Sequence, residues 1–187
     1  MEKLGYQDVN HQVVERCKSG DNRAQYELYK LYSKAMFNVS MRITNDYAEA
    51  EDVLQEAFIS AFKNMHSYKA EASFGSWLKK IVINAAINAV RKRRSELVPM
   101  EDNLVANVPD EVCDDDSEWQ VEQVRRAIQK LPDGYRVVLS LYLMEGYDHS
   151  EIAEILGITE STSKSQYSRA RKKLLEIMKE PQLMARV

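Results

Sequence analysis

Along most of this chain the apolar positions return every three or four residues, which is the spacing of a helix face and not of a strand. The clearest run is Ala50, Val53, Leu54, Ala57, Phe58, Ala61, Phe62 and Met65, and it predicts one amphipathic helix over 47–65. Before it, Val13, Val14 and Cys17 mark a short helix closed by Ser19-Gly20-Asp21. A longer one runs from Ala24 through Leu28, Leu31, Tyr32, Ala35, Met36 and Val39 until Thr44-Asn45-Asp46 interrupts it. Ser67 to Ser76 is a break containing two aromatics. Trp77 then opens a helix through Arg94, with Trp77, Leu78, Ile81, Ala85 and Ala89 expected on the buried side.

The period is lost over 95–118, a stretch holding Pro99 and Pro109, and resumes at Trp119 with Val121, Val124, Ile128 and Leu131 inward. Leu131-Pro132-Asp133-Gly134 turns the chain into a further helix carrying Val137, Val138, Leu141 and Tyr142, which Glu145-Gly146-Tyr147 ends.

Residues 148–175 are the most specific stretch. Asp148 and Glu151 have capping-box spacing, and Ile152, Ala153 and Leu156 share one face. Gly157 can take the left-handed conformation that ends a helix, Ile158 plugs the turn, and Thr159 is a good N-cap for a second helix. From Ser161 to Leu175 that second helix carries Lys164, Arg169, Arg171, Lys172 and Lys173 and no acid. A capped short helix, a glycine turn and a basic helix with small polar residues in its early turns form the pattern of a helix-turn-helix. An ordinary helical hairpin with a solvated charged face is the alternative for this segment alone.

At 187 residues, with 44% hydrophobic and 29% charged residues and only six Gly and four Pro, the composition favours helices over sheets in one domain or two small ones. A net charge of −3 argues against a simple nucleic-acid coat, but the charge is segregated. Trp77 to Arg94 holds Lys79, Lys80, Arg91, Lys92, Arg93 and Arg94 and no acid. Ser95 to Glu118 holds acids and no base, and reads as a self-repelling tether between two basic, nucleic-acid-facing blocks. The expected organisation is all-α: a helical domain over 1–94, an acidic linker over 95–118 and a second helical domain over 119–187.

Two surfaces stand out. Glu49, Asp52 and Glu56, flanked by Gln55, lie opposite the apolar stripe of the 47–65 helix, where a solvated acidic face is the ordinary explanation. Lys80, Asn84, Asn88 and Arg91 form a stripe of amides and cations suited to bonding bases and phosphates. Cys17 and Cys113 imply neither a zinc site nor a disulfide framework, and no cofactor is expected. No apolar run reaches the length of a membrane span, and the start of the chain lacks a signal-peptide core, so a cytoplasmic protein is expected. There is no glycine-rich phosphate loop and no nucleophile with a base at a recognised spacing, so it is not read as an enzyme.

Three segments in order resemble the extracytoplasmic-function (group IV) branch of the bacterial sigma-70 factors. Ala50-Glu51-Asp52-Val53-Leu54-Gln55-Glu56-Ala57-Phe58 is similar to region 2.2. Phe74-Gly75-Ser76-Trp77-Leu78 through Asn84 to Arg91-Lys92-Arg93-Arg94 is similar to regions 2.3 and 2.4. Leu131-Pro132 with Arg136, Glu151-Ile152-Ala153, Leu156-Gly157-Ile158 and Thr162 through Arg169-Ala170-Arg171 are similar to region 4.

The resemblance implies a sigma factor that binds core RNA polymerase and directs promoter-specific initiation. Glu49, Asp52, Gln55 and Glu56 would dock on the β′ clamp helices, and the β flap would be a second polymerase contact. The 67–76 loop would hold a flipped non-template base of the −10 element, with Tyr68, Phe74, Trp77, Lys80, Asn84, Asn88 and Arg91 as −10 contacts. The second basic helix would enter the −35 major groove through Ser161, Thr162, Lys164, Ser165, Ser168, Arg169 and Arg171. An anti-sigma factor is an implied partner, one able to hold the protein at the membrane. The chain departs from its relatives at Ser163 and Tyr167, where aliphatic residues are usual, at Gln166 in place of Arg, and at Ala70 in place of Gly. A dimeric helix-turn-helix regulator acting without polymerase is the rival, and it leaves the 47–65 helix, the Asn stripe and the tether without a purpose.

Overall fold

Eight α-helices, joined by short turns within each half of the chain, account for nearly all of the described residues, 10–96 and 117–179, and no strand occurs among them. The source is a computed structural model, and it divides into two units, Met1–Glu96 and Leu97–Val187. Val9, Cys113 and most of the expected linker lie outside the described residues, as do the side chains of Arg94, Trp119 and Val121.

In the first unit α1 (His11–Lys18) lies on α2 (Asn22–Thr44), and α2, α3 (Tyr47–Lys63) and α4 (Phe74–Glu96) pack pairwise around one core. Local chemistry sets the helix ends. Asp21 caps α2 through the N–H groups of Arg23 and Ala24, and Asn45 ends it in the left-handed region, which Asn tolerates. Asp46 then caps α3 by accepting from Glu49 N–H at 2.8 Å, and a 3-10 turn comes after it at Met65–Ser67. Ser73 caps α4, its Oγ accepting from Ser76 N–H at 3.1 Å. At Gly75 a Cβ would sit 2.9 Å from the Tyr32 ring, so a side chain there would force that ring to move.

The face expected for α3 is the face that is buried: Ala50, Val53, Leu54, Ala57, Phe58, Ala61 and, after the helix, Met65, with Phe62 half-buried. Two expectations need correction. On α2 the stripe shifts: Leu31 is 54% exposed and Ala35 is exposed, while Ser40, Ile43 and Thr44 go fully inside. On α4 the buried line is Phe74, Leu78, Val82, Ile83, Ala86, Ile87 and Val90, whereas Trp77, Ile81, Ala85 and Ala89 flank it half-buried. The helix is apolar on most sides, so its own periodicity did not distinguish the two faces.

In the second unit α5 (Ser117–Gln129), α6 (Asp133–Leu143) and α7 (His149–Leu156) all pack against α8 (Glu160–Met178), and α6 also meets α7. Ala127, Ile128 and Leu131 meet Leu139 of α6 and Ala170 and Ile177 of α8 in the core. Arg136 is buried at the start of α6, where it donates to Leu131 O at 2.9 Å and to Asp133 Oδ1 at 2.6 Å. It thereby ties the α5–α6 turn. Tyr142, expected inward, is 38% exposed.

Candidate nucleic-acid and protein interfaces

The acidic face of α3 is built by elimination of the apolar one. Asp52, Gln55 and Glu56 are all exposed along the side away from the core. Glu49 is half-buried and otherwise engaged: its Oε2 accepts from Arg93 Nη1 at 2.8 Å, and the same guanidinium donates to Thr44 O at 3.3 and 3.2 Å. Arg93 thus satisfies the end of α2 and pins α3 to α4, and Glu49, expected on the docking face, is engaged in that tie. Ile59, 54% exposed, continues the face of Gln55 and Glu56 one turn on. Sequence reasoning missed it because an isoleucine in an apolar-rich helix reads as core.

The segment 67–76 is organised from beneath. Tyr68, Phe74 and Trp77 form an aromatic cluster with centroid separations of 5.7, 5.6 and 5.4 Å, and Tyr32 adds an edge to Phe74 at 5.4 Å. Phe74 has no exposed surface, and Tyr68 is buried with its hydroxyl donated to Ala72 O at 2.7 Å. Neither offers a ring face to a nucleotide. Both were expected as −10 contacts, and their position corrects this: they are the floor of the segment. Trp77 keeps a partly exposed edge, and Lys80, Asn84, Asn88 and Arg91 are exposed on one side of α4, as their spacing of four, four and three residues requires. Ala70 has a left-handed φ of 57°.

The helix-turn-helix has the caps expected. Asp148 accepts from Ser150 and Glu151 N–H, and Glu151 Oε2 returns to accept Asp148 N–H at 2.9 Å. The bonds to Asp148, led by the one from Glu151 N–H, hold its carboxyl below the usual range. Gly157 ends α7 at φ 62°, and Thr159 caps α8 through Thr162 N–H at 3.1 Å. Packed on α7, α8 buries Ser163, Ala170 and Ile177 and turns the opposite side outward. Ser161, Lys164, Ser168 and Arg171 are exposed there. Thr162, Ser165 and Arg169 are half-buried: Thr162 belongs to the cap, Ser165 Oγ donates to Thr162 O at 3.0 Å, and Arg169 Nε is enclosed.

Two features of this unit were not foreseen. The Ser163 hydroxyl, wholly buried, lies 2.9 Å from Nδ1 of His149, the first residue of α7. That imidazole stacks on Tyr142 at 4.7 Å, and Tyr167 closes the group at 4.5 Å from Tyr142. The two departures at Ser163 and Tyr167 therefore share one polar-aromatic contact with His149. The second is an ion pair, Glu160 Oε1 to Lys164 Nζ at 2.7 Å, on the exposed flank of α8.

Among the described residues no group of His, Cys, Asp and Glu is placed to hold a metal ion. Burial pushes the Cys17 thiol up to about 11, away from the thiolate form that reacts. No helix among the described residues is long and apolar enough to cross a membrane.

Both units have known relatives. Residues 28–96 match the family "Sigma-70 region 2" and residues 121–174 match "Sigma-70, region 4". The chain is 31% identical over 175 residues to the ECF RNA polymerase sigma factor SigW of Bacillus subtilis, an alignment covering 86% of this chain and 92% of that one. It is 31% identical over 180 residues to the RNA polymerase sigma-H factor of Pseudomonas aeruginosa, covering 88% and 91%. Among solved structures, the sigma factor RpoE bound to the anti-sigma factor NepR from Bartonella quintana aligns with a TM-score of 0.54 and 25% identity, over 82% of this chain and 96% of that one. CnrH in complex with the cytosolic domain of CnrY shares the fold at a TM-score of 0.55 and 22% identity, covering 91% and 97%.

Proposed function

This chain belongs to the extracytoplasmic-function branch of the bacterial sigma-70 family, and we propose from that premise how its surfaces divide the work of initiation. It is an RNA polymerase sigma factor: it binds core RNA polymerase and directs promoter-specific transcription. One observation carries this. Region 2 and region 4 stand in order on a single chain, at 28–96 and 121–174. A dimeric helix-turn-helix regulator would need only the second.

The functional modules are 1–94, a tether over 95–118, and 119–187. Asp52, Gln55 and Glu56 dock on the β′ clamp helices, with Ile59 as an apolar anchor at the edge of the polar patch. Trp77, Lys80, Asn84, Asn88 and Arg91 meet the −10 element, and the exposed amides of Asn84 and Asn88 suit bases of an opened strand. Ser161, Lys164, Ser168 and Arg171 face the −35 groove, where Lys164 donates to guanine, while Arg171 and the half-buried Arg169 beside it position the helix on phosphate. The β flap is assigned to the second unit, whose Leu143 and Met144 supply exposed apolar surface. The protein works in the bacterial cytoplasm with the polymerase. An anti-sigma factor is its regulator, by likeness to the RpoE–NepR complex. The chemistry of RNA synthesis belongs to the polymerase.

The test is co-purification of the full chain with core RNA polymerase, and then run-off transcription from a promoter library. Association and selective transcripts are expected. A chain that ignores core enzyme yet binds a palindromic duplex tightly by itself would overturn the proposal.

A further inference from the structure

The first turn of α8 carries a feature that its role as −35 reader does not explain. Glu160 is the acid of that turn, and it stands on the exposed side with 52% of its side chain in solvent. A carboxylate on a surface that approaches phosphates costs affinity by repulsion, unless it finds a donor to accept from. The major groove supplies one kind of donor on each base pair: the exocyclic amine of cytosine or of adenine.

The partner of Glu160 narrows the choice. Its Oε1 lies 2.7 Å from Lys164 Nζ, and Lys164 is itself 60% exposed on the same flank. The pair therefore presents an acceptor and a donor side by side, at the separation of one hydrogen bond. Guanine O6 and cytosine N4 are hydrogen-bonded to each other in their own base pair, so they are also about 3 Å apart. A G·C pair shows two adjacent acceptors, N7 and O6, and then the donor N4. An ammonium with three N–H groups can span both acceptors while the carboxylate takes N4. An A·T pair puts its donor between its acceptors, so the ammonium cannot bridge two of them beside the carboxylate. Reversing the pair to C·G inverts the order.

We infer that Glu160 and Lys164 read one G·C base pair of the −35 element as a unit, Lys164 on guanine O6 and N7 and Glu160 on cytosine N4. Glu160 is then a specificity-determining residue, and the ion pair seen without DNA is its preorganised form. Holding both side chains in one geometry beforehand lowers the ordering cost on binding. Glu160 also sits at the N-terminus of the helix, where a negative charge is favoured by the macrodipole, and precedes its lysine in the better i to i+4 order. The inference rests on α8 being the −35 reader, and the experiment separates the two.

Holoenzyme is assembled from core RNA polymerase and the full chain carrying Glu160→Ala, Glu160→Gln, Lys164→Ala or Arg169→Ala, and each is used to select from promoters randomised across the −35 region. The parent is expected to demand G·C in one orientation at one position. Glu160→Ala and Lys164→Ala should both relax that same position, each lowering discrimination there by about 5- to 100-fold. Glu160→Gln should shift the position toward A·T, because glutamine bonds adenine N6 and N7. Arg169→Ala should weaken all sequences alike. If Glu160→Ala raises use of every sequence equally, the carboxylate only repels phosphate and the inference fails while the −35 assignment stands. It fails in the same way if Glu160→Ala and Lys164→Ala relax different positions. If Lys164→Ala leaves selection unchanged and Arg169→Ala leaves overall promoter use unchanged, the −35 assignment itself is wrong and the inference falls with it.

Discussion

The bond between His149 and Ser163 gives a quantitative test of how α7 holds α8. Ser163→Ala removes a hydroxyl that is wholly buried and 2.9 Å from the ring nitrogen. The lost bond contributes about 1 kcal/mol, and leaving Nδ1 of a half-buried ring without its partner adds about 1 kcal/mol more. Alanine returns roughly 0.5 kcal/mol through better helix propensity. The expected loss is therefore about 1–1.5 kcal/mol.

His149→Phe keeps the ring stack on Tyr142 and strands the hydroxyl instead. In a helix that hydroxyl can turn to the carbonyl four residues back, so the cost is smaller, about 0.5–1 kcal/mol. The double variant has neither polar partner and should lie within about 0.5 kcal/mol of the parent, a coupling of about 1–2 kcal/mol. The chain has two units and is not a single two-state folder, so one melting temperature is the wrong readout. Hydrogen exchange of the core amides of α7 and α8 in the full chain reports the unit alone. A loss of about 1–1.5 kcal/mol appears there as roughly a 5- to 12-fold faster exchange in Ser163→Ala, restored in the double variant. If the two single effects add within about 0.3 kcal/mol, the contact is spatial coincidence and the reasoning fails.

Three further outcomes are expected. Asp52→Lys with Glu56→Lys should abolish association with core polymerase while stability changes by less than about 1 kcal/mol, since both side chains are exposed; undiminished co-purification would remove them from the docking surface. Ala70→Gly should stabilise the first unit by up to about 1 kcal/mol in urea unfolding, because a left-handed φ of 57° strains a residue with a Cβ; a loss of stability would show that the strain is not stored there. Asp148, whose folded carboxyl titrates below its usual range, contributes stability that is present above the unfolded value and lost as pH falls through the folded one. Protection of the α7 amides, corrected for the intrinsic exchange rate, should accordingly fall on acidification in the parent and much less in Asp148→Asn; identical pH profiles would deny the cap this role.

Sequence alone determined what depends on near neighbours. The capping box at Asp148 and Glu151, the stop at Gly157, the restart at Thr159 and the whole register of α3 were legible, because each needs only residues three or four places apart. The α3 face was legible since polar residues, Ile59 apart, occupy its other side. What the tertiary structure decided is what a helix cannot settle by itself. The apolar positions of α4 run nearly all round, so its buried line was fixed by α2 and α3. Tyr68 and Phe74 were assigned to the surface by their place in a loop and went inside because Tyr32 and Trp77 close over a cluster there. Glu49 left the acidic face for Arg93, 44 residues away, and His149 found Ser163 14 residues on. Such partners meet only once packing has brought separate helices together, and periodicity along one helix carries no record of them.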